Sequence, residues 1–264
     1  MKRYILECCV DSTESAIAAA EGGADRLELC ASLVIGGTSP GLALFEQVRK
    51  HSNIPVRVLL RPRFGDFLYS GHEFEIIKRE VALFKEAGAE GVVIGCLRED
   101  GRLHMEQMRE LVKAAGSMKV TLHRAFDVCA DPIEAYRQAG ELGVDTVLTS
   151  GQEENCLEGM PLISRLCRLQ KEIQGPEIMA GAGVCPGAIR RFLEDTEVTC
   201  YHLSAKKILE SGMKYRKEGV PMGLPVMSEF SVYRTDQEVV AEAKALLQQW
   251  ESSQAGRKLH PEEG

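Results

Sequence analysis

The sequence lacks an excess of basic residues, because its 264 positions hold 32 lysines and arginines against 39 aspartates and glutamates, a formal net charge of −7. This balance argues against a broad surface for nucleic acids or anionic membranes, so any recognition of anions must be local. No stretch approaches the roughly 18 consecutive apolar residues of a membrane span. The chain also reaches Glu7 before any apolar run of signal-peptide length, so we expect a cytoplasmic protein with no membrane partner.

Two other features are missing: linkers between domains and cysteines in CxxC pairs. No stretch rich in serine, glycine or proline divides the chain, and its length is near the ~250 residues typical of one (β/α)8 barrel. None of the nine cysteines forms a CxxC pair, which argues against zinc-knuckle and thioredoxin-type motifs. The odd number of cysteines and the lack of secretory features indicate reduced thiols. Nothing in the sequence indicates an organic cofactor.

Short apolar segments that end in glycine or a polar residue recur eight times, and helical patterns separate most of them. This alternation predicts an α/β fold, a single TIM-type (β/α)8 barrel over residues 1–250, followed by a polar tail over residues 251–264. The predicted strands are Tyr4–Val10, Arg26–Cys30, Val56–Arg61, Gly91–Cys96, Lys119–His123, Thr146–Ser150, Glu177–Ala180 and Cys200–Ser204.

Two helices can be predicted with defined limits. Asp131 is a good N-cap in front of a proline, which predicts a helix over Pro132–Leu142. An apolar stripe at helical spacing predicts a last helix over Asp236–Trp250.

Unusual polar residues concentrate at the carboxyl ends of the predicted strands, where barrels of this kind build their active sites. Glu7 and Glu28 lie on the first two strands. Because helices cover the outer face of the barrel, we expect both carboxylates to face the interior, opposite cations. Both are therefore candidate catalytic residues.

The end of the third strand carries two guanidinium groups, Arg61 and Arg63. Their planar donor sets match carboxylate or phosphate, which makes Arg61 a catalytic candidate and Arg63 an anion-binding one. The alternative is structural: both arginines could simply neutralise Glu7, Glu28 or Asp66.

The end of the fifth strand supplies an imidazole, a cation and a carboxylate within five residues. His123 could act as a general acid or base, Arg124 as a charge stabiliser and Asp127 as an orienting group. A strand-end histidine can equally be a hydrogen-bonded core residue. The case for His202, which shares a strand face with Ser204, is weaker.

Two loops near the end of the chain are consistent with a phosphate site, since barrels often bind phosphate after strands seven and eight. Gly181 and Gly183 would expose backbone N–H groups, and Ser204 would add a hydroxyl donor. The same glycines could instead serve tight barrel turns.

Cys9 and Cys30 end adjacent strands, whose spacing of about 4.8 Å would let two thiolates face one ion. Two soft sulfurs suit Cu(I) better than Zn(II), which prefers four ligands. The alternative is a pair of inert core thiols.

Taken together, these motifs resemble the copper homeostasis protein CutC family over nearly the whole chain. The resemblance implies a cytoplasmic TIM-type barrel, a homodimer or higher homo-oligomer, with Cu(I)-binding cysteines that match Cys9 and Cys30. Cys8 adds a thiol where the family often has an apolar residue, so either neighbour could face a metal. The matching segments are Leu6–Asp11, Gly22–Cys30, Gly36–Pro40, Arg61–Arg63, Gly65–Ser70, His123–Asp127, Leu148–Gly151 and Met222–Gly223.

Two functions follow as hypotheses. The family resemblance implies a copper homeostasis protein that binds Cu(I) through its cysteine pair. The arginines, His123 and the glycine loops instead fit a metal-independent enzyme acting on a small phosphorylated or carboxylated anion. Glu7, Arg61 and His123 should then open toward one shared cavity.

Overall fold

The computed structural model describes residues 3–217, 219–220, 222 and 228–259. Eight strands within these residues are parallel and close into one barrel, in which each strand pairs with its neighbour in sequence and the last pairs with the first. The predicted α/β TIM-type barrel is therefore confirmed. The strands are β1 (Ile5–Val10), β2 (Arg26–Leu29), β3 (Val56–Leu59), β4 (Gly91–Ile94), β5 (Lys119–Leu122), β6 (Thr146–Thr149), β7 (Glu177–Ala180) and β8 (Cys200–Leu203).

A helix follows each barrel strand and packs apolar side chains against the outside of the barrel. None of the helices in the described part of the chain is long and apolar enough to cross a membrane. The helices are α1 (Thr13–Glu21), α2 (Leu42–His51), α3 (Gly71–Glu86), α4 (Met105–Ala115), α5 (Pro132–Leu142), α6 (Met160–Ile173), α7 (Pro186–Asp195) and α8 (Gln237–Leu259).

Six strands end one or two residues before the predicted limits, because the polar residues at those limits already belong to loops. The backbone N–H of Arg61 donates to the Ser39 hydroxyl at 2.9 Å rather than to a neighbouring strand. His123 caps a short 3-10 helix, Arg124–Val128, by accepting the N–H of Ala125 at 3.1 Å. These residues are thus placed at the mouth of the barrel rather than within its wall.

Helix α5 begins as predicted, because the Asp131 carboxylate accepts the N–H groups of Ile133 and Glu134 at 2.9 and 3.1 Å. Helix α8 differs: it continues past Trp250 to Leu259, and the Glu251 side chain accepts the backbone N–H of Tyr4 at 2.6 Å. The division into a barrel over 1–250 and a tail over 251–264 stays a prediction, and residues 260–264 lie outside the described residues.

Between β8 and α8 the chain forms a hairpin that the sequence analysis did not predict. Strands β9 (Lys206–Glu210) and β10 (Ser231–Thr235) pair antiparallel outside the barrel. Every residue of β9 is exposed, so its sequence carries no alternation between buried and exposed positions. Gly223, part of the family resemblance, falls outside the described residues.

The barrel interior contains a charged layer where valine, isoleucine and leucine usually dominate. Strand register places Glu7 of β1 opposite Arg26 of β2 and His202 of β8. Glu7 is 0% exposed and forms an ion pair with the Arg26 guanidinium. A second guanidinium, that of Arg57, donates to the Thr146 hydroxyl at 3.0 Å. The interior is therefore held by paired charges and hydroxyls.

This network generates a stability prediction. Glu7→Gln removes the carboxylate but keeps the volume, and it leaves the buried Arg26 charge without its partner and His202 with Glu28 alone. Breaking such a buried pair costs about 3–5 kcal/mol, which should appear in the free energy of urea-induced unfolding. Glu141→Gln, on the exposed surface of α5, is the matched control and should leave the unfolding midpoint unchanged. An unaltered midpoint for Glu7→Gln would show that the ion pair contributes nothing.

Candidate functional site

A cavity of about 360 Å³ opens at the carboxyl ends of the strands. Ligand cavities in proteins are of this size, roughly 300–1,000 Å³. Its floor is polar and its walls are largely apolar. The polar or ionisable lining residues are Cys9, Glu28, Arg61, His123, Arg124, Asp127 and His202, and the apolar ones are Leu33, Ile35, Leu59, Phe67, Val128 and Leu148.

The two predicted cysteines meet at the floor. The Sγ atoms of Cys9 and Cys30 lie 3.7 Å apart, and both residues are buried. Cys8 packs into the apolar core outside the barrel, since successive side chains of a strand alternate between its two faces. The structure thus decides between the neighbours: Cys9 faces the cavity and Cys8 does not.

His202 is the central residue of the floor, although its sequence context gave it only a weak case. Its Nδ1 lies 2.8 Å from Glu7 Oε1 and 3.3 Å from Glu28 Oε2. Ligand atoms of Cys9, Glu28 and His202 lie within 4.8 Å of one another, a grouping that could hold a metal ion. One signal could have revealed this role: closing the predicted barrel pairs β8 with β1, and that pairing places His202 opposite Glu7.

The two buried glutamates have opposite pKa shifts. Burial alone would raise the pKa of Glu7, but the Arg26 charge and the hydrogen bond with His202 outweigh it and hold that pKa well below its usual range. Burial raises the pKa of Glu28 to about 7, although the His202 charge opposes this shift. Glu28 therefore exchanges a proton near neutral pH, and Glu7 is a permanent anion.

The pKa of His202 follows from the same contacts. Burial disfavours its charged form, but Glu28, Cys9 and Glu7 together raise its pKa well above the usual value. His202 is accordingly an imidazolium at neutral pH. Together with Glu28, it forms a pair whose proton can be shared or displaced at the cavity floor.

Arg61 and Arg63, in the loop after β3, have different surroundings in the structure. Arg63 is bound to Asp66 at 2.8 Å and to Glu73 at 2.6 Å, and it does not line the cavity. This is the structural alternative considered for it. Arg61 lines the cavity and contacts none of Glu7, Glu28 or Asp66 among the ion pairs of the described residues.

His123 is buried in the cavity wall, and its ring packs against Phe67 at a tilt of 44° with 4.8 Å between centroids. Burial lowers its pKa to about 3, with a smaller contribution from the Arg61 charge, so the ring is neutral. Because Nδ1 accepts the Ala125 N–H, the ring proton lies on Nε2. That Nε2 is buried and has no hydrogen-bond partner within the described residues. Gly95 leaves room for the ring, since a Cβ at position 95 would lie 2.6 Å from it.

Arg124 and Asp127 lie on the rim of the cavity as a neutral pair. The Arg124 Nε donates to Asp127 Oδ2 at 2.7 Å, and its Nη2 donates to the Ser150 hydroxyl at 3.0 Å. Asp127 also accepts from the Thr149 hydroxyl and from the backbone N–H of Ser150. Asp127 thus orients Arg124.

The predicted phosphate loops are outside the cavity lining, which includes none of Gly181, Gly183 and Ser204. The N–H of Gly181 donates to the Thr149 carbonyl at 2.9 Å, and a Cβ there would meet the Leu148 side chain at 2.5 Å. Gly183 has a φ of +74°, which favours glycine at a turn. The close approach to Leu148 and the positive φ therefore explain, on structural grounds, why glycine occupies these two positions. Glu7 also lies beneath the cavity rather than in its lining, while Arg61 and His123 share it.

Comparison with known proteins identifies the family of this chain. A family model described as the CutC family matches residues 4–207, a range that contains all eight barrel strands and ends at the start of β9. The chain belongs to the CutC family. The resemblance carried by the sequence motifs is thereby confirmed.

Individual CutC proteins also match this chain, two of them over a longer stretch than the family model. The copper homeostasis protein cutC homolog of Homo sapiens is 43% identical over 234 residues, 88% of this chain and 85% of that protein. A family protein CutC of Yersinia pestis (strain Pestoides F) is 43% identical over 243 residues, 92% of this chain and 95% of that protein. A crystal structure of a CutC protein from Streptococcus agalactiae has a TM-score of 0.72 and 25% identity, and the match covers 76% of this chain and 98% of that one.

The raised pKa of Glu28 predicts a sign for pH-dependent stability. Since its pKa rises from 4.5 when unfolded to about 7 when folded, the folded protein binds more protons between these values. Stability relative to Glu28→Gln should therefore fall as pH rises from 4.5 to 7, and remain level below and above that window. Urea unfolding of both proteins from pH 4 to pH 8 measures the difference. A difference that is flat across this range would contradict a carboxyl pKa near neutrality.

Proposed function

We propose that this CutC-family protein acts in copper homeostasis by binding Cu(I) at the cavity floor through Cys9 and Cys30. The observation that carries this proposal is the 3.7 Å separation of the two Sγ atoms. With metal–sulfur distances of about 2.3 Å, as for zinc, two sulfurs so placed bracket an ion with a bent S–metal–S angle. Soft thiolate ligands favour Cu(I) among biological cations.

A bent pair of sulfurs leaves a coordination position open, and the floor offers a third ligand there. His202 and Glu28 belong with Cys9 to the group whose ligand atoms lie within 4.8 Å of one another. Imidazole is also a copper ligand, whereas carboxylate is better suited to harder ions. We therefore infer that His202 becomes the third ligand by releasing the proton that makes it an imidazolium, and that Glu28 remains beside it.

The redox state and the compartment are part of the proposal. None of the nine cysteines, all of which lie in the described residues, forms a disulfide, so the thiols are in the reduced form that Cu(I) requires. A reducing cytoplasm maintains this form. The homo-oligomer implied by the family resemblance remains a prediction that light scattering of the purified protein can check.

Copper binding should depend on the two facing cysteines. The double change Cys9→Ser and Cys30→Ser should abolish tight Cu(I) binding under strict reduction, because hydroxyls are poor ligands for soft metals. Each single change should leave only weak binding through one thiolate. Competition against a chromogenic Cu(I) chelator measures the affinity. Cys8→Ser, facing the core, and Cys185→Ser, on the surface, are the controls that should bind as the parent does. Parental affinity in the double variant would reject the site.

The affinity should also increase with pH. The hydrogen bond with Cys30, reinforced by burial, raises the pKa of Cys9 well above its usual value, so the thiol keeps its proton in the metal-free protein. Binding must release that proton, and each proton released makes the affinity about tenfold stronger per pH unit. Chelator competition between pH 6 and pH 8 gives the slope. An affinity independent of pH would mean that Cys9 is not a ligand.

One observation favours a second candidate, a metal-independent enzyme acting on a small anion: Arg61 brings a positive charge to the cavity that no carboxylate of the described residues neutralises. Glu28 and His202 would exchange protons with a ligand held there. This candidate needs Arg61 and no metal. The copper proposal instead requires the cysteines, and copper binding should persist when the charge of Arg61 in the cavity wall is removed.

A thermal-shift screen of small organic acids and sugar phosphates tests the second candidate on metal-free protein. A ligand at 100 times its dissociation constant should stabilise the protein by about 2.7 kcal/mol. Arg61→Ala should remove that shift, whereas Arg63→Ala, whose side chain is outside the cavity, should retain it. If no anion stabilises the protein, the enzyme candidate loses its support and the copper proposal stands alone.

A further inference from the structure

The Arg61 guanidinium is held in the cavity wall by neutral groups only. It donates to the carbonyl oxygens of Gly36 at 3.3 Å, Gly37 at 3.2 Å and Gly65 at 2.6 Å, and it lies 4.9 Å from the centre of the Phe67 ring. These contacts fix the position of the guanidinium but leave its charge uncompensated. A half-buried charge of this kind is stabilised by an anion that enters from solvent.

The other cations of the cavity already have carboxylate partners. Arg124 is bound to Asp127, and His202 lies between Glu7 and Glu28. Arg61 is thus the single cavity-lining cation without a carboxylate among the described residues. One uncompensated charge matches a ligand with one negative charge. A dianion would bring a surplus negative charge close to Asp127 and Glu28.

The wall also offers a hydrogen-bond donor with no partner. His123 lines the cavity, and its buried Nε2 is without a hydrogen-bond partner in the described part of the chain. Both groups lie against the Phe67 ring, since the Arg61 guanidinium is 4.9 Å and the His123 ring 4.8 Å from its centre. A carboxylate can accept from both, one oxygen facing each donor, which removes the cost of the unsatisfied Nε2–H.

Apolar side chains make up much of the remaining surface of the same cavity. Leu33 and Ile35 come from the loop after β2, Leu59 from β3, Val128 from the loop after β5 and Leu148 from β6. They surround the space in front of Arg61 with hydrocarbon, which favours a ligand that has an apolar part as well as its charge.

The two loops at which barrels of this kind often bind phosphate take no part in the lining that the described residues form. The N–H of Gly181 is bound to the Thr149 carbonyl, and neither Gly183 nor Ser204 lines the cavity. One guanidinium and one neutral imidazole fall short of the several backbone donors that barrels use for phosphate. The donor set therefore fits a planar, singly charged group.

We propose that the cavity binds a small monocarboxylate with an apolar body, its carboxylate held by Arg61 and by Nε2–H of His123, and its body packed on the leucine, isoleucine and valine walls. This proposal rests on the second candidate function, which requires an anion in the cavity, and it names the class of that anion.

The experiment is isothermal titration calorimetry of the full chain, with the absence of metal verified by elemental analysis. Four probes separate charge type from apolar contact: phenylacetate, phenyl phosphate, 2-phenylethanol and acetate. Phenylacetate should bind, and each of the other three should bind at least about tenfold more weakly, since each lacks either the single charge or the apolar body.

Two variants locate the binding. Arg61→Met keeps the length of the side chain without its charge, and should weaken phenylacetate on the order of ten- to hundredfold, as expected for a lost charge-assisted hydrogen bond. Val128→Glu adds a negative charge at a residue that is 61% exposed, so it preserves the fold and should also weaken phenylacetate. Ile173→Glu adds the same charge at the far end of α6, where the residue is 37% exposed, and should change nothing.

The outcomes are separable. Tighter binding of phenyl phosphate, equal binding of acetate, or unchanged phenylacetate affinity in Val128→Glu would overturn this proposal and leave an anion site of another class. Absence of binding by every anion would overturn it together with the second candidate function. Cu(I) titration of Arg61→Met, which keeps both cysteines, reports separately on the copper proposal.

Discussion

The structure depends on one buried carboxylate. Glu7 is inaccessible to solvent, and it can stay ionised only because Arg26 and His202 contact it from the strands on either side. This contact fixes the orientation of the imidazole, which in turn fixes its distance to Glu28 and to Cys9. The thiols, the proton-exchanging pair and the floor of the cavity are therefore all positioned by an ion pair that lies one layer below them.

Two candidate chemistries share the cavity, and both proposals involve His202 and Glu28 at its floor. Soft sulfur and imidazole ligands occupy the floor, where the thiol protons must leave before a metal enters. The wall holds a fixed cation and a neutral donor, which suit an anion. Since Arg61 has no contact with Cys9 or Cys30 in the described residues, substitution of Arg61 or of the cysteines tests one proposal and leaves the other's defining residues in place.

Much of the fold could be predicted because alternation of strands and helices is a local property. The predicted strands ran past the observed ones at six carboxyl ends, as at Arg61 and His123, where a polar residue already belongs to a loop, and at one start, Tyr4. The site was harder to predict from the sequence, since its geometry depends on which strands are neighbours in the barrel. The role of His202 becomes visible only when β8 is paired with β1, and the sequence does not distinguish Arg61, held by carbonyls, from Arg63, held by carboxylates. The family motifs pointed to Cys9 and Cys30, and the structure places their Sγ atoms 3.7 Å apart.

The closure of the barrel between its first and last strands has a consequence for synthesis. Glu7 meets His202 across 195 positions of chain, and the Tyr4 backbone meets Glu251 across 247. At about 5–20 residues per second, a ribosome needs tens of seconds to supply these partners after β1 has emerged. Until then, β1 has a free edge, and its carboxylate and its two thiols are exposed to water, oxidants and stray metal ions. The nascent chain thus leaves exposed, for that time, a carboxylate and two thiols that the finished barrel buries.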